Sequence, residues 1–200
     1  MTTLISLRAL VRRDLKDEDA ANYRWTDDEI DRAINKALDD YSLYCPLQVR
    51  TTLATTSDSN EVSLATLSDM IDVLRVEHPI TNRPYPSRRF SVFASVLTFL
   101  DGYLGDGGNC YVYWLQHHSI GTSSTVPTTH EYIVAIGAAA YALNSQAQYQ
   151  VDLANTGGDK VDNDYGARSG EMFERFYYAL RHVRTYNPKR LNTSSLTPEE

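Results

Sequence analysis

Only two cysteines, Cys45 and Cys110, occur in 200 residues. A framework of several disulfides is therefore excluded as the source of stability. The two could close one bridge; their wide separation in sequence instead favours two buried thiols in a reducing compartment. No run of eighteen apolar residues is present, so no segment is expected to span a bilayer. Met1 to Arg8 lack the basic head and long apolar run of a secretory signal, from which synthesis in a cytoplasm is expected. Basic charge is scarce: 19 Lys and Arg stand against 26 Asp and Glu, a net charge of -7. That sign is wrong for a protein that holds nucleic acid by neutralising phosphates, because an acidic surface repels DNA. There is no internal repeat.

Motifs of chemistry are also missing. No GxxxxGK(S/T) or GxGxxG marks a phosphate loop, and no CxxC, HExxH or GxSxG marks a metal site or nucleophile elbow. His117 and His118 are adjacent, and neighbours on a strand point to opposite faces, so one metal would not see both. Asp101 to Asn109 mixes carboxylates with glycines but lacks the spacing and closing glutamate of an EF-hand. The acids Asp152, Asp159, Asp162 and Asp164 could ligate a cation, with a solvated loop as the default reading. No catalytic residue, metal ligand or cofactor is assigned.

What is present is a set of patterned helices. Thr26 and Glu29 form a capping box. Asp27, Asp28 and Glu29 crowd the first turn, where the helix dipole favours negative charge. Ile30, Ala33, Ile34, Ala37, Leu38 and Tyr41 then recur at helical spacing, and Pro46 stops the helix. Trp25, just before the cap, can pack back on Ile30 or Ala33. Upstream, Leu4, Leu7, Val11 and Leu15 mark a helix over 3–16. Its Arg8, Arg12, Arg13 and Lys16 are expected to form a solvated basic face, with packing against the acidic second helix, or a partner, as alternatives.

After Pro46 the period shortens. Strands are expected over 48–56, 61–64, 90–100 and 110–117, and over 70–78 a strand or a helical turn followed by one; the runs 90–100 and 110–117 are joined as a hairpin by the glycine-rich loop 105–109. Thr128 and Glu131 read as a second capping box. The helix it opens runs to about Gln148, is rich in alanine and apolar all round, and so should be surrounded by protein. A last helix over 165–186 carries Met172, Phe173, Phe176, Leu180 and Val183 on one face, with Arg175, Arg181 and Arg184 around the remainder. The expected class is α+β, mainly α. A bundle of about four helices (1–46 and 122–187) holds an antiparallel β-rich insertion (47–121) and precedes a flexible C-terminal tail (188–200).

The order of these parts resembles the head–tail connector (adaptor) proteins of tailed bacteriophages, the portal-proximal neck ring. Trp25-Thr26-Asp27-Asp28-Glu29-Ile30 is similar to their Trp-x-Asp-Asp/Glu-Glu-Ile/Leu helix start. A β-rich insertion follows. Pro127, Tyr132, Ile136 and Ala139 are similar to their Pro-x-x-x-x-Tyr-x-x-x-Ile-x-x-Ala helix, and a last helix with aromatics and arginines precedes a tail. The resemblance covers about residues 3–187, and the large insertion brings it nearer the podophage tail-tube-base type than the minimal all-helical type.

The resemblance implies a structural virion protein, not an enzyme, made in the host cytoplasm and placed in the neck between capsid and tail. Copies would form a ring, usually twelvefold, that extends the DNA ejection channel. Implied partners are further copies, the portal protein, a tail or next neck protein, and genome DNA passing without specific binding; no membrane anchor is implied. Pro188, Lys189, Arg190, Leu191 and Leu196 would dock the tail on the portal. Asp27, Asp31, Asp39 and Asp40 would line the channel or meet a basic neighbour's helix. An acidic chain suits a conduit wall that DNA slides past, and fourteen tyrosines suit subunit interfaces. The alternatives are a tail-completion or tail-tube neck protein, or a virion carbohydrate-binding or hydrolase domain with a ligand site at Asp101, Asp106, Tyr111, Tyr113, Trp114 and His117.

Overall fold

Apolar residues at helical spacing build the first and last parts of the chain. The structure, a computed structural model, describes residues 3–81, 83–155 and 164–186; the tail over 188–200 lies outside them. Helix α1 spans Leu4–Leu15 and is capped by Thr3, whose hydroxyl accepts from the Ser6 N–H while Ser6 reaches back. It ends at Lys16 in the left-handed region (φ 58°). Helix α2 spans Asp27–Tyr44, with the reciprocal Thr26–Glu29 cap in place. Helix α3 is Glu131–Asn155 and helix α4 is Asp164–Tyr186.

These four helices share one core. Leu7, Val11 and Leu15 of α1 meet Ile30, Ile34, Ala37 and Tyr41 of α2, together with Ile133, Ala138 and Leu143 of α3 and Phe176 and Leu180 of α4. Trp25 joins the same cluster. The small residues of α3 matter most at Gly137. A Cβ there would come within 2.6 Å of the Phe176 ring, so α4 can lay that aromatic flat against α3 only because glycine leaves the space.

The β-unit has seven strands: β1 Leu47–Ala54, β2 Glu61–Ser63, β3 Met70–Glu77, β4 Ser87–Arg88, β5 Phe90–Phe93, β6 Val96–Phe99 and β7 Asn109–Gln116. They form two antiparallel sheets, ordered β1-β7-β3-β4 and β2-β6-β5. β7 is paired on both sides and β1 on one, so β7 carries Cys110, Val112 and Trp114 inward while β1 alternates half-buried with exposed positions. Val62, Val73, Val76, Leu97 and Phe99 complete a second core. The described residues divide into two units, residues 3–45 with 118–186, and residues 46–117.

Several expectations are corrected. A mainly α class is overturned: the described residues are 44% helical and 23% strand in two antiparallel sheets, an α+β fold. The composition hid this because several strands are only two to four residues long and leave little period-2 signal. The expected hairpin between 90–100 and 110–117 does not form. Residues 90–99 fold back on themselves as β5 and β6 around Ala94 and Ser95, both at positive φ (46° and 63°), the geometry of a two-residue turn. The glycine loop instead links one sheet to the other, and a Cβ at Gly105 would run into the Thr56 carbonyl. Thr128 also does not directly precede the α-helix: α3 begins at Glu131, after a 3-10 turn. Thr128–His130 is a short 3-10 turn led by Pro127, with no side-chain cap bond.

Candidate functional site

Two arginines one turn apart on α1 face two aspartates one turn apart on α2. Arg8 donates Nε and Nη2 to the two oxygens of Asp31, and Nη1 to Asp27 at 3.0 Å. Arg12 donates to Asp17 and Asp27, each at 2.7 Å, and to the Trp25 carbonyl at 3.1 Å. Its guanidinium also stacks 3.5 Å from the centre of the Tyr23 ring. The expected solvated basic face is therefore wrong for Arg8 and Arg12. Their i, i+4 spacing matches that of Asp27 and Asp31, so the charges are consumed where the helices meet. Arg13 stays exposed. The bond from Arg12, ahead of the nearby Arg8 charge, holds Asp27 below the usual carboxylate range. The bond to Asp31 raises Arg8.

The acids singled out in the sequence thus have unlike surroundings. Asp27 and Asp31 are ion-paired within the subunit. Asp40 accepts from the Tyr141 hydroxyl at 2.6 Å and from Tyr177 at 3.1 Å. Burial first, and then this carboxylate, raise the Tyr141 phenol. Asp28 and Asp39 are exposed on α2. Thr26 and Glu29 serve the helix cap, and Trp25 is core. Pro188, Lys189, Arg190, Leu191 and Leu196 lie outside the described residues.

The six residues of the alternative ligand patch do not converge. Trp114 is buried and donates its indole N–H to Thr51. Tyr113, on the opposite face of β7, donates to Glu77. Tyr111 meets Tyr85 edge-on and lies under Arg50. Asp101 pairs with Arg88 and Asp106 with His78. His117 ends the β-unit, whereas His118 belongs to the helical unit and bonds the Cys45 carbonyl and Thr125. Cys45 and Cys110 are buried thiols, one in each unit. Among the described residues no group of three His, Cys, Asp or Glu could hold a metal ion, and no helix is long and apolar enough to cross a membrane.

Sequence reasoning missed the buried His78 and the half-buried His130. His78 is fully buried in the β-unit, with Nε2 3.1 Å from an Asp106 oxygen. Burial lowers its pKa and outweighs the opposing Asp106 charge. His130 Nδ1 lies 2.7 Å from the Tyr41 hydroxyl, and burial lowers its pKa too. Neither pairing leaves a local signal, since 89 residues separate His130 from Tyr41. The outer surface carries large apolar groups as well: Ile5, Leu43, Tyr132, Tyr149 and Tyr178 on the helical unit, and Phe93 at the β5–β6 turn. Compared with known proteins, the chain matches no family model and no curated sequence.

Proposed function

We propose that the chain is a head–tail adaptor of a tailed bacteriophage: a structural neck protein that forms a ring under the portal, extends the DNA channel and joins capsid to tail. The observation that carries the reading is the make-up of the helical unit. A capped, acid-led α2 and a buried, alanine-rich α3 stand in the order that the adaptors have, with the β-unit inserted between them. Exposed Tyr132, Tyr149 and Tyr178 supply the amphipathic rings that subunit interfaces use. The acid excess suits a wall that DNA passes without sticking. Asp28 and Asp39 are exposed on α2 and are the acids that a channel wall would present, whereas Asp31 and Asp40 are half-buried within the subunit. The reading of a glycan-binding or hydrolytic β-unit draws no support from its six scattered residues.

The test is binding to the portal ring by co-sedimentation, using the full chain and a chain ending at Asn187. The full chain should bind, and removal of residues 188–200 should weaken binding at least about tenfold, the scale of one lost anchor cluster. A full chain that ignores the portal would sink the adaptor reading. Equal binding by both would sink the docking role of Leu191 and Leu196 alone.

A further inference from the structure

A second feature of the helical unit is not explained by the packing of its core. Between α2 and α3 lies a cavity of about 110 Å³, lined by Trp25, Glu29, Arg32, Lys36, Tyr141 and Gln146, among others. Trp25 is 3% exposed, and its indole N–H, buried in this wall residue, has no acceptor among the described residues. A buried donor without an acceptor costs about 1–3 kcal/mol. Arg32 and Lys36 sit one helical turn apart at the cavity, both exposed, and neither makes an ion pair among the described residues. Lys36 leans towards the Tyr141 ring, 5.7 Å from its centre. Glu29, the one acid of the lining, is already spent on the Thr26 N–H and hydroxyl. Elsewhere in the helical unit Arg8 and Arg12 are neutralised by carboxylates, whereas Arg24, over the Trp25 ring, bonds the Tyr165 hydroxyl.

We propose that this cavity receives a carboxylate side chain, supplied by a second copy of the chain. The lining brings two cations and one anion together, a net single positive charge, which matches a monoanion better than a phosphate dianion. The volume takes a carboxylate with its methylene, as a water occupies about 30 Å³. A guanidinium and an ammonium, here those of Arg32 and Lys36, are donors that a carboxylate uses. A second copy is the occupant because the chain itself has the acid excess, with Asp28, Asp39, Glu171 and Glu174 exposed on its own helices. A cavity on one face that takes an acid from another face is a head-to-tail contact, the kind that closes rings. The choice of occupant rests on the ring reading; the carboxylate site does not.

The two tryptophans make the test direct. The indole N–H resonance of Trp25 reports the cavity, and that of Trp114, already bonded to Thr51, is the internal control. N-acetyl-glutamate N-methylamide should shift the Trp25 resonance and leave Trp114 in place, while the isosteric glutamine compound shifts neither. In the Arg32→Ala/Lys36→Ala variant, whose changes are on the exposed face, the response should fall about tenfold or more. A Trp25 resonance that stays still, or that responds equally to glutamine or in the variant, overturns the carboxylate site. Sedimentation equilibrium at low salt then tests the occupant. Self-association of the native chain should weaken about tenfold in the variant and with added salt. Unchanged association, or none in the native chain, overturns the second-copy assignment even where the resonance shifts.

Discussion

The helical unit and the β-unit each bury a basic side chain, and they treat it in opposite ways. In the helical unit Arg12 cannot shed its proton, so it is met by Asp17 and Asp27 and capped by the Trp25 carbonyl. In the β-unit His78 is buried against Phe99 and Tyr103 and can give up its proton instead. Its Nδ1 has no partner among the described residues, and one carboxylate, Asp106, meets Nε2. A permanent charge must bring its counter-ions into the fold, whereas a titratable one can be made neutral by the surroundings. Stability of the first should therefore depend on side-chain partners, and of the second on pH. One tryptophan lies in each unit, Trp25 and Trp114, so each can be followed separately.

The largest effect should come from the helical core. Phe176→Ala empties the space against Gly137 and should cost about 3–5 kcal/mol, read as an earlier chemical-unfolding midpoint at Trp25. If Trp114 reports the same loss, the two units unfold together and the comparison must be made on one cooperative body. Next comes the charge network. Arg12→Ala leaves Asp17, whose side chain is 6% exposed, as a buried carboxylate without its cation. The cost should be about 3 kcal/mol at neutral pH, near the lower end for a broken buried pair. An Arg12→Ala chain as stable as the native one would show that the network is solvated after all.

The smallest effect should be the pH dependence of the β-unit. The folded pKa of His78 lies below its ordinary value of 6.5. As pH falls through about 6.5 the unfolded chain therefore binds the proton first. The contribution of neutral His78 is complete above that value and declines as pH drops towards the folded pKa. The Trp114 unfolding midpoint should accordingly fall between pH 7.5 and 5.5, and His78→Gln should flatten that slope. A slope that survives the substitution assigns the dependence to another group.

The helical unit was largely legible because its signals are local. Thr26 and Glu29 lie three residues apart and do form the cap. Phe176 and Leu180 recur at helical spacing and are fully buried. The β-unit was less so, because strand pairing joins distant residues. Ala94 and Ser95 do not advertise a turn, as Asn-Gly would, and the real glycine loop drew the hairpin to the wrong place. Thr128 had the spacing of a cap, yet the turn after Pro127 closed as a 3-10 turn instead. Among candidate site residues, the acids of α2 could be found by position but not by role.

By itself the sequence determined where helices start, which faces they bury, and that the chain is acidic, because these depend on neighbours within a turn or on composition alone. Only the tertiary structure decided that Arg8 and Arg12 meet Asp27 and Asp31, that Asp40 is held by two tyrosines, and that His78 is stripped of water. It also decided that residues 46–117 divide into two sheets, and that Arg32 and Lys36 share a cavity with Trp25, whose indole N–H has no acceptor among the described residues. Those outcomes depend on which segments come together in space. Electrostatic pairing and desolvation act through distance in space, not along the chain.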